Sequence, residues 1–289
     1  MCQIRFPLPA CLLLSGLGAA VNSSHSYGQA PINQDAATQP SPGHATLIEQ
    51  FRFYSLDLDA GRRDARGQTR DAILLSRLDY GLTKDLSLSL RTPVVFRRRS
   101  YDLGDRVERD QGVGDVTALV KWRFYQDDAG PVNTTRISLL GGSEIRTGDA
   151  PFTNDAYNPL IGLALTRVSG RHGLNANVQW TFTTAGVPSE GQISPGMSTA
   201  DVFRYNGAYL YRLAPVEYSA DTAGAWYAML EANGVYETNG DNELLLSPGL
   251  MYEATRWALE LSLQVPVWRD LDNRPETEYV LVAGLRFSW

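Results

Sequence analysis

The sequence predicts an all-β protein: a transmembrane antiparallel up-and-down β-barrel of about twelve strands, preceded by a cleaved signal peptide. Residues 174–184 carry the first observation. Leu174, Ala176, Val178, Trp180 and Phe182 alternate with Asn175, Asn177, Gln179, Thr181 and Thr183. Period-two alternation marks a strand with one apolar and one polar face, and about eleven residues suit a tilted strand crossing a bilayer. The second observation is that the pattern repeats along the chain with hardly a helical signal. The third is that aromatic residues gather at the two ends of the apolar faces, as interfacial rings do.

The leader comes first. Arg5 and the apolar run 10–21 read as a secretory signal, with cleavage after Ala30 in Tyr27-Gly28-Gln29-Ala30. Cys2 and Cys11 both lie inside it, so the mature chain would have neither a disulfide framework nor a thiolate metal site. Residues 31–45, rich in Pro, Gln, Ala and Ser, read as a flexible periplasmic lead-in; the alternative is a short plug entering the lumen, for which nothing in the composition argues. The barrel is expected to occupy residues 46–289.

The strands then follow in order. The first, 46–58, has Phe51 and Phe53 on its apolar face, and the second, 70–82, has Leu74, Leu78 and Tyr80. A tight turn leads to the third, 86–97, where Leu86, Leu88 and Leu90 alternate with Ser87, Ser89 and Arg91. Residues 98–113 are expected as a long polar loop, and Arg97-Arg98-Arg99 as a solvated loop mouth, the alternative being a contact with lipopolysaccharide or an anionic ligand. The fourth strand, 114–125, sets Val116, Ala118, Val120, Trp122 and Phe124 against Thr117, Lys121 and Arg123; the fifth, 132–146, sets Ile137, Leu139 and Ile145 against Arg136, Ser138 and Glu144. The sixth and seventh, 159–168 and 174–184, flank the turn 169–173. The eighth, 201–213, and ninth, 225–237, precede a Thr-Asn-Gly-Asp-Asn hairpin signal. The tenth, 243–253, the eleventh, 257–268, and the last, 278–289, complete the set. Tight and long polar connections alternate, with 214–224 the exception on the tight side. An even count puts both termini on the periplasmic side of an outer membrane.

One aromatic girdle is expected from Tyr80, Phe124, Tyr211, Trp226, Tyr252, Trp257, Phe287 and Trp289, and a second from Phe96, Phe182, Phe203, Tyr236 and Tyr279. An Arg or Lys facing lipid at mid-bilayer costs about 2–4 kcal/mol. Arg77, Asp79, Arg91, Lys121, Arg123, Arg136, Glu144, Arg146, Arg204, Arg212, Glu231, Glu253, Glu260 and Arg286 are therefore expected to line the lumen. Both signs are present, so they can pair across it or be separated by water.

The segments GVGDVTALVKWRFY, 112–125, and TGDAPFTNDAYNPLIGLALTR, 147–167, with the aromatic C-terminal strand, resemble the meta-pathway phenol-degradation family of outer-membrane proteins. The resemblance implies a barrel passing aromatic or other small hydrophobic molecules, and it carries no ligand residues. From the residues alone, Gly112, Gly114 and Asp115 read as a loop-to-strand transition.

Enzymatic chemistry finds little support. The three histidines, His25, His44 and His172, fall in the leader, the lead-in and a turn, so no base is placed beside a strand nucleophile. No cofactor or metal is expected. The net charge of −6 with interspersed Arg leaves no nucleic-acid footprint. The expected partners are outer-membrane lipid and lipopolysaccharide, the barrel-assembly machinery through the C-terminal strand, and a small-molecule solute. The expected function is an outer-membrane channel. The alternative is a non-conducting structural or adhesion barrel whose loops bind partners.

Overall fold

The computed structural model describes residues 29–58, 67–102, 106–130, 132–186, 194–219 and 221–289. The expected signal peptide, with Cys2, Cys11 and His25, lies outside the described residues, apart from Gln29 and Ala30. Thirteen strands form one antiparallel sheet: β1 (Ala45–Asp57), β2 (Gly67–Gly81), β3 (Leu86–Tyr101), β4 (Val107–Val113), β5 (Val116–Asp128), β6 (Asn133–Ile145), β7 (Asn158–Ser169), β8 (His172–Thr181), β9 (Val202–Ala214), β10 (Gly224–Glu237), β11 (Asn242–Ala254), β12 (Trp257–Asp270) and β13 (Glu276–Ser288). Strands pair with their sequence neighbours except that β4 and β5 both pair with β3, and β1 pairs with both β2 and β13, so the sheet closes on itself. At the seam, the backbones of Ala45 and Trp289 exchange hydrogen bonds of 2.9 and 3.0 Å. Closure pairs both edges of each stave along the wall, the condition for sheet to sit in hydrocarbon. Among the described residues, only the short β4, in the extension above, keeps an edge without a strand partner.

The barrel has twelve staves, because β4 and β5 share one. β3 pairs with β5 from Leu86 to Arg91 and with β4 from Val94 to Ser100. Of the stretch 98–113, expected as a loop, residues 98–101 instead continue β3 upward and 107–113 pair with it as β4. Its residues are polar on both faces, which hides the strand period from a hydrophobicity reading. The break falls at Gly114 and Asp115. A side chain at Gly114 would meet Pro93 at 2.8 Å, and one at Gly112 would meet the Phe152 ring at 2.9 Å. The Asp115 carboxylate accepts from the backbone N–H groups of Thr147 (3.0 Å), Gly148 (2.9 Å) and Asn154 (3.1 Å), and so moors the loop between β6 and β7.

The alternation seen in the sequence is carried out around the wall. Along β7 every second residue is buried and the others, Ile161, Leu163 and Leu165 among them, are exposed. The lower aromatic residues share the outer face at the short-turn ends, with ring centroids 5.0 Å apart for Trp226–Tyr252 and 5.4 Å for Tyr252–Trp257. The upper group includes Trp180–Phe203 at 5.6 Å and Phe53–Tyr279 at 6.3 Å. Among the described residues, several charged side chains depart from the partition, two of them near the lower end of the wall. Arg167 is exposed beside the lower turn. Glu49 shares its face with Leu47 and Phe51 and accepts the Ser76 hydroxyl at 2.7 Å.

Candidate functional site: a lumen occupied by the N-terminal segment

Residues 29–41 run inside the barrel. This corrects the expectation of a flexible periplasmic lead-in for 31–45: Ile32, Asp35, Ala36, Ala37 and Thr38 are all buried. Its composition is that of a linker, but its backbone is held by the wall at many points. The Glu231 carboxylate accepts from the N–H groups of Ile32 (2.7 Å) and Asn33 (3.1 Å). The Lys121 ammonium donates to the carbonyls of Ala36 (2.8 Å) and Thr38 (3.0 Å). Arg286 donates to the Pro31 carbonyl at 2.7 Å, and Gln50 to that of Ile32 at 2.9 Å. On the opposite wall, the Thr166 hydroxyl accepts from Ala37 N–H at 2.9 Å, and Ser138 donates to the Ala37 carbonyl at 3.0 Å. A buried chain with no sheet partner must find such bonds, and here wall side chains supply them.

Two apolar contacts and one ionic one complete the seat. Ile32 packs among inward Leu210, Tyr227, Met229, Met251, Val280 and Val282, an apolar patch on the inner wall. Ala37 packs on Leu140 and Ala164. Asp35 pairs with Arg91 at 2.5 Å and Arg77 at 3.1 Å. Burial opposes its ionisation, but Arg91 and then Arg77 outweigh burial and hold its carboxyl well below the usual carboxylate range.

The expected lumen residues fall into three levels. In the middle, Arg77, Asp79, Arg91, Lys121, Glu231, Glu260 and Arg286 surround the segment, with Arg77–Asp79 at 2.8 Å and Arg286–Glu260 at 2.6 Å. Below, towards the short turns, Arg123 reaches Asp85 at 3.3 Å and Arg136 reaches Asp128 at 3.7 Å. Arg212 lies 4.0 Å from the Tyr218 ring centroid, and Glu253 is buried at the lower end of β11. Tyr218 also bonds the Tyr227 hydroxyl at 2.6 Å, so this part of the lower connection is held against the lower mouth. Above, Glu144 and Arg204 face a cavity of about 270 Å³ over the segment, also lined by Arg52, Thr117 and Asn206. Arg146 is misplaced by the sequence reading. It lies one residue past β6, more than half exposed at the rim, paired with Asp155.

Several inward groups escaped the sequence reading. Asp71 and Arg97 form a buried pair at 2.6 Å, so Arg97 is no solvated mouth residue. Arg274 joins buried Glu237 (3.0 Å) and Glu243 (3.1 Å), tying the upper turn 271–275 across the rim. Asp35 had no period around it to mark it. The strand parity of Asp71, Glu237 and Glu243 could have found those three. Among the described residues no group of three or more His, Cys, Asp or Glu is placed to hold a metal ion.

No family model matches the sequence, and no curated protein matches it. Solved structures do. The COG4313 outer membrane channel from Pseudomonas putida F1 is similar with a TM-score of 0.58 at 13% identity, over 90% of this chain and all of that one. The β domain of the Bordetella autotransporter BrkA gives 0.52 at 14% identity, over 86% of this chain and all of that one. At these identities the likeness speaks for the architecture: this chain has the fold of an outer-membrane β-barrel.

Proposed function

We propose that the chain is an outer-membrane channel for passive passage of small solutes, closed in this state by residues 29–41. The observation that carries the reading is a division of labour in the lumen. The wall is a complete closed sheet, while the occupant is a separate segment held by side chains, which can leave without breaking a ladder. The COG4313 protein is called a channel, which favours the same reading. The aromatic or hydrophobic class of solute rests on the resemblance to the meta-pathway phenol-degradation family. The reading includes removal of a signal peptide ending near Ala30, which would take off Gln29 and Ala30 and leave the free end at the start of the part of the seated segment that remains, 31–41. It also includes periplasmic termini, insertion by the barrel-assembly machinery through the Trp289 strand, and contact with lipopolysaccharide.

Planar-bilayer conductance tests this. The full chain is expected to be mostly closed, and a variant lacking residues 31–41 to show sustained openings. A second reading has a specific support: buried pairs such as Arg286–Glu260 fill part of the lumen. A non-conducting barrel would stay closed after that deletion.

A further inference from the structure

The outer face of the β2–β3–β4 sheet holds an arrangement that the pore does not use. Arg70 lies directly across from Arg98, and Arg98 directly across from Arg109. All three are exposed and share the face of Leu74 and Phe96. Directly opposed residues stand about 5 Å apart, where like charges repel. The same hairpin treats its other face differently. There Arg97 pairs with Asp71 at 2.6 Å, and Arg99 with Asp110 at 3.2 Å. Among the described residues no carboxylate pairs with any of the outward three; Arg70 donates only to Gln68, at 3.3 Å.

Height supplies the second half. Phe96, half exposed, belongs to the upper aromatic group, and Arg98 is the next outward residue above it on β3. Rings mark the headgroup boundary, so the row stands at the polar surface of the outer leaflet. Guanidinium groups bind phosphate through paired N–H donors, more strongly than neutral donors do. A row of three suits a ligand with more than one phosphate, anchored in the leaflet beside the barrel.

We propose that Arg70, Arg98 and Arg109 form a binding site for the phosphate groups of an outer-leaflet glycolipid. The proposal rests on the membrane reading above but not on conduction. The test is native mass spectrometry of the purified full chain in detergent, titrated with lipopolysaccharide, dephosphorylated lipopolysaccharide or inorganic phosphate. The phosphorylated glycolipid is expected to bind at least about tenfold more tightly than the dephosphorylated form. R70Q/R98Q/R109Q is expected to abolish that difference, and R98Q alone, removing the middle charge, to reduce it. R167Q, at the lower rim, should leave it unchanged. Equal binding of the two lipopolysaccharides, or an undiminished difference in R98Q, overturns the proposal. So does displacement of the glycolipid by inorganic phosphate at equal concentration, which would indicate a generic anion site. A chain that fails to insert into lipid at all would instead overturn the membrane reading.

Discussion

Replacing Asp35 by Asn isolates the hold on the lumen segment from the stability of the wall. The substitution keeps the shape of the side chain and changes no strand residue. It removes the charge that meets Arg91 at 2.5 Å and Arg77 at 3.1 Å in a buried setting. Removing one partner of a buried pair costs about 3–5 kcal/mol, because the other charge is left without compensation. Arg77 retains Asp79 at 2.8 Å, so the lower end of that range applies. Water can reach both arginines once the segment leaves, so the cost falls on the seated state. About 3 kcal/mol is roughly a hundredfold in the seating equilibrium. Single-channel recording of D35N should therefore show a large rise in open time, while heat resistance of the barrel on gels is unchanged. If D35N stays as closed as the parent chain, the ion pairs do not hold the segment and the reasoning fails.

Three further outcomes follow from the wall. Leu261→Arg places a cation on the outer face of β12, where Leu261 is 61% exposed, and should destabilise the lipid-embedded barrel by about 2–4 kcal/mol in urea unfolding. Glu260→Ala leaves Arg286 buried without its carboxylate and should cost about 3–5 kcal/mol, of which Arg286→Met in the same chain restores a large part; no restoration would mean that the ion pair is not the source of the loss. Arg274→Ala removes the bridge between Glu237 and Glu243, and should make turn 271–275 cleavable by protease added outside while the strands stay protected.

The wall was legible because one face of nearly every strand must be apolar, which imposes period two from Phe51 to Trp289. The expectation of girdles comes from the same demand, since rings such as Trp226 and Trp257 have a preferred depth. The occupant of the lumen was not legible. Residues 29–41 touch wall side chains rather than lipid or a sheet neighbour, so no period is imposed on them, and a tract of Pro, Gln and Ala looks like a linker. The β3–β4 hairpin was missed for a related reason: above the membrane both faces tolerate charge, and Arg98 and Arg109 erase the alternation. Arg146 was assigned to the wall because its parity is right, but β6 ends at Ile145. The apolar inward patch around Met229 and Val280 also ran against the expected polar lumen, and Ile32 explains it.

The partition itself is tested most directly on β7. Single cysteines at 163, 164, 165 and 166, each carrying a small fluorophore in a barrel reconstituted with brominated lipid, report which side each residue faces. Leu163 and Leu165 point outward and Ala164 and Thr166 inward, so strong quenching should occur at 163 and 165 and little at 164 and 166. Uniform quenching, or the opposite alternation, would contradict the account.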